Sequence, residues 1–499
     1  MLIHLFFTLL FVSERKQIAF MAAEKSPTRI SQHLFATSRS EMRIIMNDKK
    51  HDDNLLGNMS IGRLFLKLAI PAVLSQLINI LYNLVDKMFI GHMSNNGAKA
   101  LAGMGVTTPV ILAISAFAAL VSMGGAPKAS IMIGRKQNDM AEKIVGTCTF
   151  MLLIISFALT GIMLILGKDI LLLFGASNDT IGYASDYMRI YCIGTVFIQL
   201  TLGLNSFITA QGYTKISMIN VSIGACLNVL LDYVFIYILN MGIKGAALAT
   251  VISQAISAMC VIRFLCYGKC EVHLRKKYIR FDGNLLISCI LLGTSPALMQ
   301  LTENIVAISF NTALQKYGGD MAVESMSILN SIMQFVMLLL PGLVQGAQPI
   351  LSYNLGAGNI SRVRKTFYYL LCSCLAGSFI IWSICMICPQ NVAHIFTGNN
   401  ELIKYSVKSM RIYLSMLCIY GIQVACQYSF VALDNAPVAI FLTIWRKIIL
   451  LIPLIFILPH FISNRTMGVF WAEPIADTIA VCTTGYMFYK YFKRLGEKK

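Results

Sequence analysis

The chain has 499 residues, of which 57% are hydrophobic and only 13% charged, with a mean hydropathy of +0.69. An ordinary soluble domain carries roughly 25% charged residues, so a soluble globular class is excluded and a lipid-embedded one indicated. The formal net charge of +18 does not point to nucleic acid, because the Lys and Arg residues sit in short loops between apolar runs, where they orient a membrane protein.

Residues 1–54 read as a disordered cytoplasmic tail. The opening MLIHLFFTLLFV is too short to span a bilayer and has no basic region ahead of it, as a secretory signal would. Ser13 to Asn54 is polar, mixed in charge and turn-rich. Met42 or Met46 offers an alternative start.

From residue 55 onward, apolar runs recur at the roughly 20-residue length that a helix needs to cross hydrocarbon, which favours helices over the short alternating strands of a barrel. Residues 55–267 hold six, near 64–91, 100–126, 142–166, 181–211, 216–239 and 245–267. The first carries Gln76, Asn79, Asn83 and Asp86 at spacings of three, four and three, a polar stripe on one helical face that ends in an acid. Lys87 points about 100° away from Asp86 on such a helix and is expected to snorkel to the interface. Tyr187 and Tyr191 fall early in the fourth span, Asn228 and Asp232 form an i, i+4 pair in the fifth, and Thr250 lies early in the sixth.

Residues 268–283 form a polar linker, and residues 284–499 hold six more spans, near 284–312, 323–348, 366–389, 402–432, 437–459 and 467–490, with a basic C-terminal tail. Here Glu303 is flanked by Gln300 and Asn304, and Asn330 and Gln334 make a further i, i+4 pair. Arg446 and Lys447, taken at the start of the eleventh span, are expected to anchor the inner interface. The 14 Cys lie mostly in apolar runs and read as packing residues; Cys385-Met-Ile-Cys388 lacks a second pair to complete a metal site. His92, His273, His394 and His460 sit in or near loops and none is assigned as a proton carrier.

Basic clusters recur on alternate loops (Arg135, Lys136 and Lys143; Arg275 to Lys277; Arg362, Arg364 and Lys365; Lys490 to Arg494), which places both termini in the cytoplasm. The halves also repeat. Met188-Arg-Ile-Tyr191 returns as Met410-Arg-Ile-Tyr413, Gly134 as Gly356, Pro71 as Pro296, and Met241-Gly-Ile243 as Met467-Gly-Val469, in order along the chain. The expected fold is therefore an all-α integral membrane protein of twelve transmembrane helices in two pseudo-symmetric six-helix lobes. Transporters built from such repeats bind substrate where the repeats meet.

Charged residues inside spans cost at least about 2.5 kcal/mol at a helix centre, so Asp86, Asp232 and Glu303 are functional candidates. By topology Asp86, Asp232, Tyr187 and Thr250 all fall in the outer half of the N-terminal lobe. Two carboxylates, an amide and hydroxyls suit a small hard cation or a shared proton.

The run Pro71-Ala-Val-Leu-Ser-Gln76 with Asn83-Leu-Val-Asp86 and Ile90-Gly91, the loop Gly134-Arg-Lys-Gln137, and Leu343-Val-Gln-Gly-Ala-Gln-Pro349 together resemble the MATE family of multidrug and toxin extruders, nearest its MepA-like bacterial branch, over about residues 55–490. The resemblance implies the MATE fold in a cell membrane and alternating access. It also implies Na⁺ or H⁺ entry driving export of small cationic amphipathic compounds, with no cofactor beyond the coupling ion, no partner but lipid, and one chain as the working unit. The family's cation site falls on Asp86, Asn228, Asp232 and Thr250, with Tyr187 beside it. Gln76, Asn79, Asn83, Gln300, Glu303, Asn304, Asn330 and Gln334 are candidates for the substrate path. Some branches place a second-lobe acid where Glu303 stands, whereas an acid that relatives carry on the tenth span has no counterpart. The alternatives are a lipid-linked saccharide flippase, which the few mid-membrane Lys and Arg argue against, or a metabolite exporter of the same superfamily. A membrane enzyme is excluded by the lack of an HExxH motif or an intramembrane His, Cys and Asp cluster.

Overall fold

The computed structural model describes residues 55–93 and 97–495; the tail expected over 1–54 lies outside the described residues. Residues 1–58 form a unit of their own, in which the described part is a single helical turn, Leu55–Asn58. All that follows concerns the second unit, which begins at Met59.

Among the described residues the unit is helical throughout, with no strand. Helices α1 (Ile61–Gly91), α2 (Gly97–Gly134) and α3 (Asn138–Leu173) are long apolar spans. The fourth span is bent by 59° between α4 (Ile181–Ile193) and α5 (Thr195–Ala210). The fifth is α6 (Thr214–Asp232), which runs on as a π-helix over Tyr233–Ile238, and the sixth is α7 (Ile243–Tyr267).

The second half repeats this plan. Helix α8 (Gly283–Gly356) is 74 residues long and turns back at Gly319, whose φ of 64° and ψ of −160° belong to a region that only glycine enters without strain. It therefore makes both the seventh and the eighth spans. The ninth is α9 (Ile360–Ile387), and after the short α10 (Pro389–His394) the tenth is bent by 49° between α11 (Asn400–Tyr413) and α12 (Leu417–Ala432). The eleventh joins α13 (Ala436–Ile444), a π-helix over Trp445–Leu451 and α14 (Ile452–Ile457). The twelfth, α15 (Arg465–Leu495), is the least uniformly apolar because it carries Glu473 and Asp477. The result is twelve transmembrane helices in two six-helix lobes. The recurring Met-Arg-Ile-Tyr motif ends at the bend in both the fourth and the tenth spans, and the fifth and eleventh spans share the π-helical interruption.

The lobes meet along α1, α2 and α8, backbone against backbone, at the end that carries the basic loops. A Cβ at Gly124 would overlap the carbonyl of Cys289, and one at Gly293 that of Leu120. Closer to the basic loops, Gly134 faces the carbonyl of Tyr353 and Gly356 that of Ile131 in the same way. Small residues permit this approach where lipid supplies no hydrophobic drive between helices. Ser130 Oγ donates to the Pro349 carbonyl at 3.3 Å, and Lys128 Nζ pairs with Asp434 Oδ1 at 2.5 Å across the two lobes.

Candidate cation site and cavity

The polar stripe of α1 points into the N-terminal lobe. Gln76 and Asn79 are half-buried and Asp86 is buried, while Lys87 is exposed. Asn83 is also exposed and its Nδ2 donates to the Asn79 carbonyl at 2.7 Å. On α6, Asn228 and Asp232 are buried, Asp232 completely so. Asp232 ends the α-helical part of its span, and the π-helix after it leans on α1: Tyr237 Oη donates to the Phe89 carbonyl at 3.1 Å, and the two rings meet edge-on at 5.8 Å. On the same pair of spans Asp232 stands against Asp86, their carboxyl groups in side-chain contact. π-Helical turns recur at functional sites because they re-aim the residues beside them.

Thr250 completes the arrangement. Asn228 Nδ2 donates to its Oγ1 at 3.4 Å, and that hydroxyl donates to the Ala246 carbonyl at 3.1 Å. Tyr187, buried and stacked on Tyr191 at 5.9 Å, lies beside Thr250 and within electrostatic range of both acids. The structure thus brings all five expected residues to one place. Four oxygens there are buried without a hydrogen-bond donor: Oδ1 of Asp86, both carboxylate oxygens of Asp232, and Oδ1 of Asn228. Neither acid has an ion-pair partner among the described residues. A buried acceptor set without donors is costly unless something positive sits in it, and these oxygens are the hard donors that Na⁺ or H⁺ takes.

A cavity of about 300 Å³ adjoins this site. Gln76, Asn79, Asn228, Thr250 and Gln300 line it, the last reaching in from the second lobe. Asp86, Asp232 and Tyr187 stand behind its wall. Asn83, Glu303, Asn304, Asn330 and Gln334 are not among its lining residues; Gln334 is exposed, and Asn304 and Asn330 are half-buried.

Arg446 and Lys447 depart from expectation. They are buried near the middle of the eleventh span, within its π-helix, rather than anchored at the interface. Arg446 Nε donates to Asp477 Oδ1 at 2.7 Å and its Nη2 to Glu473 Oε1 at 2.9 Å, with the guanidinium over the Tyr420 ring at 4.9 Å. Lys447 Nζ pairs with Glu303 Oε1 at 2.8 Å. Two cations and three carboxylates therefore share the second lobe, and Glu473 Oε2 is left without a partner. Sequence reasoning misses Glu473 and Asp477; their i, i+4 spacing in an otherwise apolar span is the signal that could have found them.

The MatE family profile matches residues 71–234 and 296–457, once in each lobe. The chain is 23% identical over 436 residues to the multidrug export protein MepA of Staphylococcus haemolyticus, covering 87% of this chain and 95% of that protein, and 22% identical to MepA of Staphylococcus saprophyticus, covering 85% and 92%. Among solved structures it superposes on a MATE transporter in the bent conformation with a TM-score of 0.83 at 20% identity, covering 89% of this chain and 98% of that one. It superposes on the MATE multidrug transporter DinF-BH, solved as a complex, with a TM-score of 0.79 at 31% identity, covering 86% and 95%. With the profile spanning well over half its length and the repeat architecture shared, the chain belongs to the MATE family of membrane transporters, and it is not an enzyme.

Proposed function

We propose that this protein is a multidrug efflux antiporter: a monomer in the cell membrane that exports organic cations in exchange for Na⁺ or H⁺ by alternating access. The observation that carries the coupling step is the set of four donorless oxygens on Asp86, Asp232 and Asn228. A cation entering there neutralises buried charge and tightens α1 against α6. A conformational equilibrium moves only by the difference in affinity between its states, and an acceptor set that one lobe geometry assembles supplies such a difference.

The lobes are packed together at the basic-loop end. On the positive-inside orientation that end is cytoplasmic, and this is then an outward-facing state in which the ion binds and cargo leaves. Multidrug export in the staphylococcal relatives supports the cargo class. The test is ethidium efflux from proteoliposomes under Na⁺ and pH gradients imposed separately. Efflux driven by one gradient and lost in Asp86→Asn is expected; transport indifferent to both gradients would overturn the antiport reading.

A further inference from the structure

Cys148 on α3 and Cys289 on α8 belong to different lobes, yet their thiols lie in side-chain contact. Helix α2 holds them there. Its Gly125 leaves the space for Cys148 Sγ, which a Cβ would meet at 2.6 Å, and its Gly124 lets the Cys289 backbone approach. Cys148 Sγ also donates to the Val121 carbonyl of α2 at 3.9 Å. Both cysteines are buried, at 0% and 1% exposure, in one apolar cluster with Val121, Leu152 and Phe207.

Apolar packing is the ordinary work of a buried cysteine, but it does not ask for a second sulfur across the boundary between lobes. Two other neighbouring pairs stay on one side of that boundary: Cys266 and Cys270 lie at the end of α7 and in the linker, and Cys374 and Cys426 lie on α9 and α12 of the second lobe. Cys148 and Cys289 stand early in helices that begin at the basic loops. That is the end where the lobes are packed together and where alternating access must part them. A buried thiol is inert while its cover holds. Parting the lobes removes the cover that each cysteine gives the other and admits solutes from the basic-loop side.

We propose that these two cysteines are an oxidative modification site, at which hydrogen peroxide forms a disulfide that ties the lobes together at the basic-loop end and stops the transport cycle. The chemistry takes two steps. In the parted state the sulfur of one cysteine attacks the peroxide; the O–O bond breaks, a sulfenic acid forms, and the displaced hydroxide leaves as water with the thiol proton. When the lobes close, the sulfur of the second cysteine attacks the sulfenic sulfur. The S–O bond breaks, the S–S bond forms, and hydroxide leaves as water with the second thiol proton. The two thiols together lose two electrons, which reduce one peroxide to two waters, and a thiol reductant reverses the bond by exchange. The inference rests on the transporter reading for the lobe motion alone.

The experiment treats the full-length protein in ethidium-loaded proteoliposomes with hydrogen peroxide and then with dithiothreitol, reading efflux together with peptide mass spectrometry under non-reducing conditions. The parent is expected to yield a peptide linked through Cys148 and Cys289 and to lose efflux about tenfold, since protein held in one state of a two-state cycle gives no turnover. Dithiothreitol should restore it. Cys148→Ala and Cys289→Ala should each export ethidium as the untreated parent does and resist peroxide, and either answers alone if the other fails to purify. A linked peptide in protein that moves no ethidium before treatment would sink the transporter reading and leave the modification site standing. Absence of the linked peptide overturns the proposal, as does peroxide inhibition undiminished in the alanine variants.

Discussion

Lys447 and Glu303 face each other across two helices of the second lobe, with 2.8 Å between Nζ and Oε1 and very unequal exposure: the lysine side chain is 6% exposed and the glutamate 48%. The glutamate is the more accessible of the two, and its carboxylate neutralises a buried ammonium. Glu303→Gln removes that compensation. Hydrogen bonds to charged groups contribute about 1.5–3 kcal/mol, and a loss of that size is expected in thermal unfolding of the detergent-purified protein. The double variant Glu303→Lys, Lys447→Glu should regain most of it; a stability unchanged in Glu303→Gln would mean that Lys447 does not depend on the pair.

Arg446 is the more deeply committed cation, since it holds Asp477 and Glu473 together and all three are buried. Removing one partner of a buried ion pair typically costs about 3–5 kcal/mol, whereas replacing the whole set by apolar residues is often neutral. Arg446→Met should therefore lower the yield of folded protein sharply. The triple variant Arg446→Met, Glu473→Leu, Asp477→Leu should restore it. If the restored protein also exports ethidium, the cluster is a structural brace for the π-helix; if it folds and does not transport, the charges serve the transport cycle.

These pairs mark the boundary of what the sequence makes legible. Lipid forces every span to be a long apolar helix, so the span count and the repeat are written locally. Asp86 and Asp232 stand out because an acid in such a run is rare. Even the partnership of Asn228 with Thr250 could be placed by depth along their spans. Pairing between distant spans has no local signature, however. Arg446 and Lys447 look like interface anchors until Glu473, Asp477 and Glu303, drawn from two other helices, are seen around them. The π-helix that follows Asp232 is equally silent, because Tyr233–Ile238 reads as ordinary apolar helix.

Coupling is tested by removing the charge without changing the shape. Asp86→Asn and Asp232→Asn are each expected to abolish gradient-driven ethidium efflux while leaving membrane insertion and monodisperse purification intact. Asp86 Oδ1 and both oxygens of Asp232 are buried without donors, so no hydrogen bond to them holds the fold together, and asparagine keeps the shape while replacing the charge with a neutral amide. Full efflux by both variants would sink the assignment of these residues to coupling.

The close packing of the lobes at the basic-loop end makes a prediction about conformation. A side chain at Gly293 meets the carbonyl of Leu120, and one at Gly124 that of Cys289, so both contacts are backbone and neither can yield by a rotamer change. Gly293→Val should therefore disfavour the state in which the lobes touch there and populate the alternative, opened on that side. Gln348 lines the cavity on α8, so a Gln348→Cys reporter should react faster with a membrane-impermeant maleimide added from the basic-loop side when Gly293→Val is present. Gly293→Ala puts its methyl on the same backbone carbonyl, so it too should raise the rate above the parent value, by less than valine does because it asks for a smaller separation of α8 from α2. Equal labelling rates in the valine and parent proteins would show that the glycine contact does not hold the lobes together, and the latch would then fall to Lys128 and Asp434, the ion pair that crosses between them.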